Sequence, residues 1–149
     1  MIKTKETALK VRHYVRGLTA NPHAPEFACD RLIPAIRHGL SVQELSDLQT
    51  SLDVPIERLA PMLGLSKATL HRRKTGKRLG VAESERIVRF ARLMGKASEV
   101  MESPANARKW LSSPQAGLGG AVPLEFAETE IGAREVEDLL GRIEFGTYS

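Results

Sequence analysis

The residues best suited to chemistry are few and scattered. His13, His23, His38 and His71 fall at no spacing that would hold a metal or pair a nucleophile with its base. Cys29 stands alone, so it can form no intrachain disulfide and belongs to no Cys/His ligand set. "GLGG" (117–120) lacks the Lys-Ser/Thr sequel of a phosphate loop and reads as a turn. Glu125, Glu128 and Glu130 are acids on a short exposed segment, better suited to surface charge than to proton transfer. No catalytic set, metal site or cofactor site emerges, and the expectation is a binding protein rather than an enzyme.

What the spacing does favour is contact with a polyanion. "LGLSKATLHRRKTGKRLG" (63–80) fits a helix-turn-helix whose first residue is Ile56. Leu59 and Ala60 face inward, Leu63, Gly64 and Leu65 form the turn, Ser66 caps the recognition helix and Leu70 anchors it. The Ser66 and Lys67 end is placed to enter the major groove, Arg72 or His71 to reach base edges, and Lys74, Lys77 and Arg78 to bind phosphates, with Thr69 and Arg73 in the same DNA-binding set. Arg73 falls where the template wants an apolar residue. The recognition helix is therefore expected to end there, with the rest a basic loop tied back by Leu79.

Charge divides the chain in two. Residues 66–92 hold nine Lys/Arg against two Glu, a net +7, and residues 121–149 hold two Arg against seven Asp/Glu, a net −5. Opposite charge at two places implies two different partners. The last residues, "EFGTYS", put an aromatic beside the carboxylate, a tail that could enter a partner's cleft.

The elements that must position these residues all read as helices, and no run alternates in the manner of a strand. Ala8, Val11, Val15 and Leu18 share a face closed by Gly17 as C-cap, and "TANPHAP" (19–25) reads as a linker. Leu32, Ile33 and Ile36 mark a second helix, started or kinked at Pro34. Ser41 with Glu44 offers a capping box, stapled by Leu40 and Leu45, for a helix burying Val42, Leu45, Leu48 and Leu52. Ile87, Phe90, Ala91, Met94, Ala97 and Met101 predict the longest helix, over 83–101. Ser103 and Pro104 open a short helix, 112–123 is loop, and Val136, Leu139, Leu140 and Ile143 mark a last helix over 132–143. The N-terminus has no apolar core of a signal peptide, and no uncharged run is long enough to span a bilayer, so a soluble cytoplasmic protein is expected.

From about Glu26 onward the chain resembles the Xre-type antitoxins paired with RES-domain toxins, the group of ParS-like and MbcA-like antitoxins. The segments that carry the resemblance are "LGLSKATLHRRKTGKRL", "ESERIVRFARLM" and "ARKWLSSPQAGLGGAVPLEFAETEIGAREVEDLLGRIEFGTYS". It implies an all-α protein with an Xre-like helix-turn-helix domain (26–95) and a toxin-binding domain with its tail (96–149). Residues 1–25 lie outside the resemblance and read as an N-terminal helix and linker, an arm or a dimerisation element. The resemblance further implies a homodimer or higher oligomer on operator DNA, and a RES-domain toxin that consumes NAD or transfers ADP-ribose. Carried over by position, the toxin contacts would be Trp110, Leu111, Gly119, Gly120, Arg134, Glu135, Glu137, Arg142, Tyr148 and Ser149. One departure is Val81, where relatives often place Ser; the long helix is expected to start without a cap. The competing reading is a stand-alone repressor whose acidic end serves only to oligomerise.

Overall fold

In the computed structural model, which describes residues 13–146, nine α-helices and two 3₁₀ turns are arranged around one long helix. In order they are α1 (Tyr14–Ala20), α2 (Cys29–His38), α3 (Gln43–Leu52), α4 (Ile56–Met62), α5 (Lys67–Gly76), α6 (Val81–Met101), α7 (Pro104–Leu111), α8 (Pro123–Phe126) and α9 (Glu130–Glu144). The 3₁₀ turns, Pro25–Phe27 and Ala116–Leu118, lie before α2 and α8. Among the described residues the only β pairing is an isolated bridge between Ser41 and Arg78.

The helix α6 is long because its apolar residues keep the 3.6 period for five turns and no Pro interrupts it. Ile87, Phe90, Ala91, Met94 and Ala97 are buried on it, and it packs against α1, α2, α3, α7 and α9. One apolar cluster therefore runs from Val15 through Phe90 to Leu140. The basic and acidic halves of the sequence share a core and are not beads on a linker.

Several local expectations change. Gly17 lies inside α1 rather than capping it, pressed against the Phe27 ring, and α1 continues through Thr19 and Ala20 into the stretch read as linker. Val15 and Leu18 of α1 are buried against α6 and α3. Ala8 and Val11 of the same predicted face lie outside the described residues. Of the α2 face, Leu32 is buried but Ile33 is exposed.

The capping box at Ser41 does not form. Ser41 is taken up by the bridge to Arg78, and α3 starts without a side-chain cap. Glu44 instead turns inward and accepts the N–H groups of Tyr14 (2.8 Å) and Val15 (3.0 Å), serving the orphan donors of α1 across thirty residues. Burial pushes the Glu44 carboxyl above its ordinary range, against the pull of those two N–H groups.

Candidate functional site: a basic helix face and an acidic helix face on one beam

The helix-turn-helix forms at the expected place. Leu59 and Ala60 of α4 are buried, and the chain turns at Gly64 with φ +71°. Glycine suits this left-handed position, where a Cβ would also meet the end of the Arg86 guanidinium at 2.5 Å. Arg86 fills that space because its Nη1 donates to the Leu63 carbonyl at 3.1 Å, bracing the turn from α6. Ser66 Oγ then accepts the Thr69 N–H at 3.1 Å and caps α5.

α5 does not end at Arg73. It runs to Gly76 and closes on Lys77 in the left-handed region at φ +62°. Arg73 is tolerated in the template's apolar slot because it is not buried there. Its Nε donates to Glu83 Oε1 at 2.8 Å, and the same carboxylate oxygen accepts the Gly80 N–H at 3.0 Å. Glu83 thus supplies the cap that Val81 does not, and joins the end of α5 to the start of α6. Burial alone would raise its carboxyl, but the Gly80 N–H and the Arg73 guanidinium outweigh that and hold it below the ordinary range.

The segment after α5 is tied down as expected. Leu79 is buried, its N–H donates to Leu40 O at 2.8 Å, and Val42 N–H donates to Lys77 O at 3.1 Å. Arg78 Nη1 reaches Gly39 O at 2.7 Å. Lys67, His71, Arg72, Lys74, Lys77 and Arg78 are all exposed, on α5 and the segment that follows it. Thr69 is half-buried, with its hydroxyl shared between Ser66 and Arg72.

The +7 of residues 66–92 is not all available to a polyanion. Arg73 and Arg86 are bound internally, as above. Arg89, with a side chain only 15% exposed, donates to the Glu128 carbonyl at 3.0 Å and pairs with Glu130 at 3.3 Å. No sequence pattern marked Arg86 or Arg89 as internal, since both lie in the same basic run as the exposed cations.

Arg89 is one of three arginines that tie the two halves together. Arg58 of α4 meets Glu125 of α8 at 3.8 Å, and Arg108 of α7 donates to the Ser51 carbonyl at 3.4 Å. The acidic half itself starts as predicted, with Ser103 Oγ accepting the Asn106 N–H and Pro104 at the first turn of α7. Leu111 is fully buried and Trp110 packs half-buried against the core. Gly119 and Gly120, at φ +66° and +90°, make the tight reversal closed by Gln115 N–H to Ala121 O. Gly119, Gly120 and part of Trp110 are open at the surface, whereas Leu111 has none to offer a partner.

α9 begins two residues earlier than predicted, at Glu130, because Thr129 Oγ1 caps it through the Gly132 N–H at 3.0 Å. Val136, Leu139 and Leu140 are buried and Ile143 is packed at the edge of the core. Glu135 and Arg142 are exposed and Glu137 is half-buried, whereas Arg134 pairs with Glu130 at 3.5 Å one turn back. Tyr148 and Ser149 lie outside the described residues. Among those described, no group of three or more His, Cys, Asp or Glu side chains could hold a metal, and no helix is long and apolar enough to cross a membrane.

A capped recognition helix presenting cations, carried on the same beam as an acid-rich helical region, defines a two-part helix-turn-helix binding protein. Residues 31–92 match the antitoxin Xre-like helix-turn-helix domain, and residues 96–146 match the antitoxin Xre/MbcA/ParS C-terminal toxin-binding domain. A protein named antitoxin Xre from Yersinia enterocolitica is 37% identical over 120 residues, which is 79% of this chain and 81% of that one. Another antitoxin Xre, from Pseudomonas putida, is 30% identical over 137 residues, 89% and 84% of the two chains. A Prs ADP-ribosylating antitoxin from a Sphingobium species is 27% identical over 127 residues, 78% and 80%. The chain belongs to the Xre antitoxin family, whose members are regulatory binding proteins and not enzymes.

Proposed function

We propose that this antitoxin neutralises a RES-domain toxin, one that consumes NAD or transfers ADP-ribose, by covering its active-site cleft with the C-terminal region. It also binds operator DNA in the cytoplasm as a dimer or higher oligomer and represses its own operon. The observation that carries this reading is the adjacency of the two matched domains, 31–92 and 96–146, on the two ends of one helix. The name of the Sphingobium relative supports an ADP-ribose-transferring partner.

On the DNA side, Ser66, Lys67, His71 and Arg72 face the bases, and Lys74, Lys77 and Arg78 the phosphates. Thr69 and Arg73 act by positioning, the first by holding Arg72 and the second through Glu83. Phosphate neutralisation releases counterions, so affinity falls steeply with salt. On the toxin side, Glu135, Glu137 and Arg142 with the tail residues Tyr148 and Ser149 make contact. Arg134 contributes through the end of α9, and Trp110, Leu111, Gly119 and Gly120 hold the domain's shape.

The test is co-expression with the product of the adjacent reading frame. Phe145 closes the end of α9, so the cut is made after it. Removing residues 146–149 should free the toxin in cells while the purified chain still binds operator with nearly unchanged affinity. A truncated chain that protects cells fully overturns the tail reading, and a full chain that captures no toxin favours a stand-alone repressor.

A further inference from the structure

α9 has an outer stripe that the fold does not explain. At about 100° per residue, Glu135, Asp138, Arg142 and Phe145 all fall within roughly 40° of Ile131, opposite the buried face of Val136 and Leu140. All five are exposed, and Ile131 and Phe145, at 78% and 79%, are the most exposed large apolar side chains among the described residues. A single exposed apolar side chain is ordinary. Two on one helix stripe, separated by charge, are less so. Local structure does not reward Ile131 either, since Ile forms helix less readily than Ala or Leu.

We infer that this stripe is a second contact surface for the toxin, distinct from the last residues 146–149, gripping it by two apolar anchors about 21 Å apart with Glu135 and Asp138 between them. The inference rests on the reading of the C-terminal region as the part that engages the toxin. The whole stripe lies inside the residues matched to the toxin-binding domain and runs directly into the tail. A toxin that receives the tail therefore has the stripe within reach. The complementary face would carry two apolar pockets with basic residues between them, because buried apolar anchors dominate binding energy while neighbouring charges select the partner.

A second copy of the chain fits less well. Asp138 is midway between Ile131 and Phe145, so a two-fold antiparallel pairing of the stripe would set Asp138 against its own image. That like-charge contact opposes self-association.

The test uses the full chain co-expressed with the tagged product of the adjacent toxin gene, made inactive by substitution. Ile131→Ala with Phe145→Ala should weaken toxin binding by about tenfold or more, chiefly through faster release. Asp138→Lys should weaken it independently. Both variants should melt as the wild type does and bind operator unchanged. If the wild type captures the toxin and the double variant holds it as tightly, the stripe is not a toxin contact. Variants that turn a solution dimer into monomers while keeping toxin affinity assign the stripe to self-association and overturn the inference. A wild type that captures no toxin removes the proposed function and this inference together.

Discussion

The surface of α5 and the outer face of α9 are both helix faces on the same core, yet they are built for opposite kinds of contact. α5 buries none of its own side chains and shows cations at Lys67, Arg72 and Lys74, with Lys77 just beyond. It is held by its neighbours: the Ser66 cap, the Arg73–Glu83 pair and the buried Leu79. α9 buries Val136, Leu139 and Leu140, holds itself by packing, and spends its outer face on acids and two bare apolar side chains. A face of mobile cations suits a long-range field and a phosphate lattice. A rigid face with apolar anchors suits one protein surface of fixed shape.

The largest effect should come from the element both faces share. Phe90 is fully buried at the middle of α6, and Phe90→Ala should cost about 3–5 kcal/mol in denaturant unfolding. Operator binding and toxin binding should then fall together. If only one fell, the two halves would be independent and the common core would not couple them.

A smaller loss is expected at Glu44. Glu44→Ala strands the Tyr14 and Val15 N–H groups and should cost about 1–3 kcal/mol, whereas Glu44→Gln keeps an acceptor and should cost less. Equal losses in thermal melting would mean that the negative charge, not the acceptor, matters there.

On the basic face alone, Arg72→Ala should relax discrimination between operator and mismatched sites by roughly 1–3 kcal/mol. Lys77→Ala should instead weaken all sequences alike and lower the salt slope by about 1. Toxin capture should be untouched by either. The same result for both residues would break the division between base and phosphate contacts.

The smallest effect is in acid. Glu83 has a lowered carboxyl, so its stabilisation is fully present above the ordinary value of 4.5 and is lost as pH falls towards the folded value. Glu83→Gln should flatten that part of the unfolding curve and leave neutral pH nearly unchanged in shape. Glu44, whose carboxyl is raised, has the opposite sign: its stabilisation is greatest in acid and declines as pH rises through the folded value.

The apolar spacing of α3, α6 and α9 was legible in the sequence because a buried face repeats every three or four residues. The helix-turn-helix was legible because its turn needs glycine and its cap needs Ser. Long-range partners were not. Glu44 stands where a capping box predicts it, but its carboxylate serves another helix, and nothing within residues 40–45 could show that. Arg73 looked misplaced only because its partner Glu83 lies beyond the next turn, and Arg89 looked like part of a basic face because sequence does not reveal which way a side chain points. The stripe on α9 was not legible because Ile131 and Phe145 lie just outside the predicted helix 132–143, and their exposure appears only once Val136 and Leu140 face inward.

The most direct test of two separate surfaces on one beam is to measure operator binding and toxin binding across the same range of salt concentrations, with the same full-length preparation. Operator affinity should fall steeply with salt, with a log–log slope of about −0.9 for each phosphate neutralised, and toxin affinity should change little. Toxin affinity that falls as steeply as operator affinity would contradict the account, because the acidic face would then bind by charge and not by its apolar anchors.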